Sequence, residues 1–94
     1  MTNHIPEFEM TGGEPESVYM DPKFHERILD LVENTLNGDD NTILCFIIDD
    51  SDNIITAELE PESHYMALSK SLEFFVGIED YKMCSRIKNT LNKL

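Results

Sequence analysis

The chain has 94 residues, 40% hydrophobic and 28% charged, which is the length of one small domain and not the composition of a disordered segment. Its 19 acidic and seven basic residues give a formal net charge of −12, which argues against direct binding to nucleic acid or to an anionic membrane, since both require a basic face. The sequence has no apolar run long enough for a transmembrane helix, and its two cysteines are typical of a reduced, cytoplasmic protein.

The first twenty residues have the character of an acidic tail. They contain two prolines and two glycines among four glutamates, and their apolar residues follow neither a strand period nor a helix period. We expect residues 1–20 to be extended, with local docking through Phe8 or Tyr19, and residues 21–94 to form a single α+β domain.

The clearest element is a helix over residues 22–37. Asp21 is suited to cap the free backbone N–H groups, and Pro22 occupies the first helical position, where its missing N–H is not needed. Gly38 is placed to end the helix. The apolar stripe consists of Phe24, Ile28, Leu31, Val32 and Leu36.

Two strands are predicted next, joined as a hairpin. Residues 42–48 are rich in β-branched and aromatic side chains and have acidic segments on both sides. Residues 54–59 follow after the loop 49–53 and form the hairpin partner. The first strand is apolar on both faces, which is unusual for a strand at an exposed edge.

Two helices complete the chain. Pro61 opens a helix that Gly77 ends, and another helix covers approximately residues 79–92. The predicted apolar stripes are Tyr65, Leu68, Leu72, Phe75 and Val76 in the first of these, and Tyr81, Cys84, Ile87 and Leu91 in the second.

The predicted order is therefore tail-α-β-β-α-α, an α+β fold in which a β-hairpin packs against three helices. A lone two-stranded hairpin is marginally stable in water, so the apolar strand 42–48 needs further cover. Two arrangements supply it: a homodimer that extends the sheet, or an N-terminal tail that lies against the strand.

The acidic residues are concentrated in one part of the chain. Residues 1–60 contain 15 acids and two bases, whereas residues 61–94 contain four acids and five bases. This excess either provides solubility alone or forms a surface for a basic partner. Acids one helical turn apart, or two residues apart on a strand, are separated by about 5–7 Å, close to the spacing of alternate DNA phosphates. The candidate phosphate substitutes are Glu26, Asp30, Glu33, Asp39, Asp40, Asp49, Asp50, Asp52 and Glu58.

In these respects the chain resembles the small acidic bacteriophage proteins that imitate DNA, including anti-restriction proteins. The likeness lies in size, in α+β make-up and in the layout of the acidic residues. The residues that carry it are Asp39, Asp40, Asp49, Asp50 and Asp52, with Glu26, Asp30 and Glu33 on the first helix. The resemblance implies occupation of a basic DNA-binding groove, as a dimer, and, for a phage-encoded protein, residence in the host cytoplasm.

One acidic segment imitates a calcium-binding loop. Asp49, Ser51, Asn53 and Glu60 occupy positions one, three, five and twelve of an EF-hand loop. The sixth position requires glycine for its sharp turn, but Ile54 stands there, and the preceding segment is predicted as a strand. We therefore predict no EF-hand and assign no metal ligands, with weak binding of a divalent ion by the loop 49–52 as the open alternative.

The remaining reactive residues do not form a catalytic set. His4, His25 and His64 lack the spacing of metal ligands, and we expect the last two on the surface. Cys45 and Cys84 lie in apolar stripes, which favours buried thiols. The sequence predicts no enzymatic activity and no cofactor.

The function predicted from the sequence is that of a non-enzymatic DNA mimic. It would bind a basic DNA-binding protein of the host, such as a nuclease, restriction enzyme or nucleoid protein, and block its access to DNA. The alternative is a small adaptor or assembly module that acts through the hairpin edge or the basic C-terminal helix, with the acidic residues serving only solvation.

Overall fold

Residues 4–94, which the computed structural model describes, form a mixed three-stranded sheet and four α-helices. The α+β prediction is confirmed, with one more strand and one more short helix than expected. The strands are β1 (Glu7–Glu9), β2 (Ile43–Ile48) and β3 (Ile54–Glu58), and the helices are α1 (Glu16–Tyr19), α2 (Pro22–Leu36), α3 (His64–Gly77) and α4 (Tyr81–Leu91). Short 3₁₀ turns occupy Thr11–Gly13 and Pro61–Ser63.

The predicted signals at the ends of α2 are confirmed. The Asp21 carboxylate accepts a hydrogen bond from the backbone N–H of Lys23 at 2.9 Å, and Pro22 is the first helical residue. Gly38 follows the helix with a φ of +101°, in the left-handed region that favours glycine. Local chemistry therefore fixes both ends of this helix.

The buried stripe of α3 differs from the prediction. Leu68 and Phe75 are buried as expected, but Tyr65 is 63% exposed and Val76 is also exposed. The stripe is instead completed by His64 and Ser71, which keep the spacing of four, three and four residues along one helix face. A stripe predicted from apolar residues alone does not include these two buried polar positions. Tyr81 of α4, predicted to be buried, is exposed as well.

The central strand of the sheet is β2. Strand β3 pairs with it in antiparallel fashion, as the hairpin prediction requires, and β1 pairs with its other edge in parallel, with Phe8 opposite Ile47. A segment of the N-terminal region thus covers the strand edge that had suggested a dimer. Homodimerisation stays a prediction.

Several residues before α2 are tightly packed. Phe8 of β1 is buried, and its ring meets that of Phe24 edge-on with centroids 5.8 Å apart. Val18 of α1 is only 2% exposed. Residues 4–20, expected to be an extended tail, therefore contain a strand and a helical turn that contribute to the core.

The core lies between one face of the sheet and helices α2, α3 and α4. Strands β1 and β2 contribute buried apolar residues to the core, whereas β3 contributes the half-buried Ala57. The apolar residues with the least exposed surface are Leu29, Leu31, Val32, Cys45, Leu68, Phe75 and Ile87.

A buried arginine ties α2 to the start of β2. The pairing of β2 with β3 is irregular between Ile43 and Cys45, and Leu44 falls in this irregularity. The Arg27 side chain donates from Nε to the carbonyl of Leu44 at 2.6 Å and from Nη2 to the carbonyl of Ile43 at 2.9 Å. A guanidinium thus satisfies carbonyl oxygens of the irregular segment, at an otherwise apolar interface.

We expect Arg27→Met to lower the free energy of unfolding by about 2–3 kcal/mol, because the substitution removes two charge-assisted hydrogen bonds. The carbonyl of the buried Leu44 loses its side-chain donor, whereas the Ile43 carbonyl keeps the side-chain amide of Asn41 as a donor. Urea denaturation measures the change. Lys23→Met, at an exposed position on the same helix, is the control and should stay within about 0.5 kcal/mol of the original chain. Equal stability of the two variants would contradict the role assigned to Arg27.

Candidate partner-binding surface

The nine acids predicted as phosphate substitutes fall into three groups. One group lies on α2, one lies around the start of β2, and one lies in the hairpin loop at the opposite end of that strand. The groups are Glu26, Asp30 and Glu33; Asp39, Asp40 and Glu58; and Asp49, Asp50 and Asp52. The last two groups are separated by the six residues of β2, about 20 Å.

Two of the acids on α2 are engaged with α4. Arg86 places Nη2 2.8 Å from Oε1 of Glu33 and 3.8 Å from Oδ1 of Asp30. The hydroxyl of Thr90 also lies 3.5 Å from Glu33 Oε2. The single positive charge of Arg86 offsets part of the negative charge of these two carboxylates, which makes them weaker candidates for partner binding.

Asp49 holds the hairpin loop together. Its Oδ1 accepts the backbone N–H groups of Ser51 and Asn53, both at 2.9 Å, and its Oδ2 lies 3.3 Å from the side-chain amide of Asn53. The hydrogen bond from the Asn53 backbone is the main reason that the pKa of Asp49 is lowered. Asp52 completes the turn with a φ of +60°. The loop joins two strands, whereas an EF-hand loop joins two helices, so the calcium-loop spacing of these residues occurs here in a β-hairpin.

The hairpin loop lies against the turn that follows β1. A Cβ atom added at Gly13 would stand 3.3 Å from Oδ2 of Asp50, in the tight range of contacts. Because β1 and β2 are parallel, their C-terminal ends emerge at the same edge of the sheet. This edge therefore collects acids from two distant parts of the sequence.

Most of the net charge belongs to two segments, residues 4–20 and 39–60, which we call the strand segments. They contain eleven acids and no lysine or arginine, whereas the rest of the chain contains eight acids and all seven bases. The strand segments include acids that were not among the sequence-based candidates. These are Glu7, Glu9, Glu14, Glu16 and Glu60.

The face of the sheet opposite the core combines acidic and apolar residues. Residues paired directly across strands project to the same face. One row across the sheet is Glu7, Phe46 and Thr56, and the next row is Glu9, Ile48 and Ile54. We call these six residues the outer sheet face.

The outer sheet face is accessible among the described residues. Ile54 is 66% exposed, and Phe46 and Ile48 are half-buried. None of these three belongs to the core cluster, which takes Phe8 and Ile47 from the alternate positions. The face therefore presents apolar side chains at its centre, with exposed glutamates along the β1 side.

The prediction that His25 and His64 lie on the surface is wrong. His25 donates from Nε2 to the carbonyl of Tyr19 at 2.7 Å, and its Nδ1 accepts from the Ser71 hydroxyl at 2.8 Å. Its ring stacks on Phe74 with centroids 4.3 Å apart. His64 is only 3% exposed. Burial lowers the pKa of both rings, so both favour the neutral form.

The cysteines are buried as predicted, and burial raises the pKa of the Cys45 thiol. Within residues 4–94, no group of three His, Cys, Asp or Glu side chains is placed to hold a metal ion. A cleft of about 560 Å³ lies between α2 and α3 and is mostly apolar. It is lined by Phe24, Ile28, Leu44, Leu59 and Met66, with Lys70 beside them.

Comparison of this chain with protein-family models, with curated proteins and with solved structures gives no match. Among the described residues, no helix combines the length and the apolar character that a membrane crossing requires. The functional argument therefore rests on the surface itself.

The buried histidines predict a specific pH dependence of stability. Below the usual pKa of 6.5, the unfolded chain takes up protons that the folded chain resists. Between pH 7.5 and 5.5, the free energy of unfolding should therefore fall more for the original chain than for the His25→Gln/His64→Gln variant.

Urea denaturation of both proteins at the two pH values measures this difference. Relief of repulsion among the carboxylates acts in the opposite direction, but it is common to both proteins and cancels in the comparison. An equal pH dependence, or a steeper loss in the double variant, would contradict the assignment of buried neutral rings.

Proposed function

We propose that this chain is a non-enzymatic inhibitor that binds a basic DNA-binding protein and blocks its access to DNA. The observation that supports the proposal is the composition of the strand segments, with eleven acids and no lysine or arginine. Such crowding increases solubility but costs folding stability through self-repulsion, and we attribute its concentration in these two segments to a basic partner.

The surface proposed for binding is revised from the sequence-based set. Asp39, Asp40, Asp50, Asp52 and Glu58 remain in it as acids of the strand segments. Glu7 and Glu9 join them, since both are exposed on the outer sheet face. Asp49 is left out because its carboxylate accepts hydrogen bonds from its own turn. The acids of α2, including Glu26, are left out because they lie outside the strand segments, and Asp30 and Glu33 are in addition paired with Arg86.

The physical basis is competition for the same cationic groups. A DNA-binding protein gains much of its affinity when lysine and arginine side chains replace the counterions of phosphates. Carboxylates about 6.6 Å apart on one strand, such as those of Glu7 and Glu9, offer those side chains an alternative set of anions. Binding should consequently weaken as the salt concentration rises.

An adaptor function is the second candidate. The observation that favours it is the apolar surface of β3, where Ile54 and Ile55 are 66% and 46% exposed. The C-terminal helix favours it less, because Arg86, one of its bases, is engaged with Asp30 and Glu33. In an adaptor, neutralising acids of the strand segments would leave partner binding intact.

The two functions are separated by a matched pair of triple variants. Glu7→Gln/Glu9→Gln/Asp52→Asn removes three charges from the strand segments, and Glu62→Gln/Glu73→Gln/Glu79→Gln removes three exposed charges elsewhere. We expect the first variant to capture at least about tenfold less DNA-binding protein from a bacterial lysate at 0.15 M salt. The second should stay within about threefold of the original chain.

The captured proteins should be released by duplex DNA and by a salt gradient. Circular dichroism verifies that both variants are folded. Equal capture by the two variants, or capture that resists both salt and duplex DNA, would contradict the proposed function and favour the adaptor.

A further inference from the structure

We propose that the outer sheet face binds an amphipathic basic helix of the partner, an inference that rests on the proposed function and specifies its contact. The partner must therefore present more than a row of cationic side chains. It must also cover the apolar centre of the outer sheet face and fit the dimensions of that face.

The apolar centre is the first reason. Phe46 and Ile48 lie side by side on alternate positions of β2, and Ile54 stands directly opposite Ile48 on β3. A surface that only replaced phosphates would need polar side chains at these positions. Burying these three side chains against an apolar stripe would remove their exposed surface from water, which favours association.

The dimensions of the face are the second reason. Three strands spaced about 4.8 Å apart make a surface about 10 Å wide, comparable to the diameter of one α-helix. All three strands run side by side over the three residues of β1, about 10 Å, which is the length of about seven helical residues or two helical turns. The chain's own helices pack on the opposite face, so a partner helix would add a third layer and cover the second face of the sheet.

Charge complementarity identifies the helix as basic. Glu7 and Glu9 stand in the same two rows as Phe46 and Ile48, on the β1 side of the apolar centre. Glu58 follows Thr56 by two residues on β3 and therefore projects to the same face, on the other side. A helix with an apolar stripe and lysine or arginine on both flanks satisfies all of these groups.

A second copy of this chain does not meet the same requirement. Its own outer sheet face would bring glutamates toward glutamates, and the strand segments have no lysine or arginine to pair with them. Like charges placed opposite each other across an interface oppose association. The occupant is therefore a partner with a basic surface.

The test uses the full chain and three synthetic 14-residue peptides. The first has leucines at helical spacing and lysines elsewhere, the second has the same composition in scrambled order, and the third replaces the lysines with glutamates. Fluorescence anisotropy measures binding at 0.15 M salt. We expect the first peptide to bind at least tenfold more tightly than the second, and the third to show no binding.

A pair of variants locates the contact. Ile54→Thr should weaken binding of the first peptide about fivefold, because it removes an exposed apolar side chain from the outer sheet face while keeping a β-branched residue. Val76→Thr makes a similar change at an exposed position on α3 and should leave the affinity unchanged. Amide chemical shifts should move at Phe46, Ile48 and Ile54.

The outcomes distinguish this inference from the proposed function. Equal binding of the first two peptides, with loss of both in the Glu7→Gln/Glu9→Gln/Asp52→Asn variant, would overturn the inference and leave the electrostatic function standing. Equal effects of Ile54→Thr and Val76→Thr, or tight binding of the third peptide, would also overturn the inference. Failure of every basic peptide to bind would count against both.

Discussion

The parallel pairing of β1 with β2 is the interaction on which the rest of the structure depends. It is held by backbone hydrogen bonds such as those from Phe46 N–H to the Pro6 carbonyl at 3.0 Å and from Met10 N–H to the Ile48 carbonyl at 2.9 Å. It turns a hairpin into a three-stranded sheet and places Phe8 in the core. The same pairing aligns Glu7 and Glu9 with the apolar residues of β2, so one contact generates both the stability and the surface.

The sequence predicts elements whose signals are local. The Asp21-Pro22 start of α2 and its glycine end need only neighbouring residues, and the hairpin follows from two apolar runs around an acidic turn. Strand β1 has only three residues and pairs with a strand nearly forty positions away. Its alternation of glutamate, phenylalanine and glutamate is a weak signal, because three residues cannot establish a period. The burial of His25 depends similarly on Ser71, 46 positions later.

The acidic character of the site was evident from composition, but its arrangement was not. The helix acids and the loop acids look equivalent in the sequence. Folding separates them, because Arg86 reaches Glu33 across 53 positions, and Asp49 is occupied with the N–H groups of its own turn. Which acids stay available is thus decided by long-range and turn contacts. Periodicity along one helix cannot reveal either of them.

The strand segments carry most of the negative charge, and the rest of the chain, which includes α2, α3 and α4, carries all of the lysine and arginine. The sheet side of the molecule is therefore more negative than the helix side, and the charge distribution has a dipolar component. Near a cationic surface, a dipole experiences a torque as well as an attraction, so the chain would rotate to present its strands before any atoms touch. At physiological ionic strength this alignment would operate over about 8 Å, the Debye length. The crowding of negative charges, which destabilises the fold, would thereby shorten the rotational search that precedes docking.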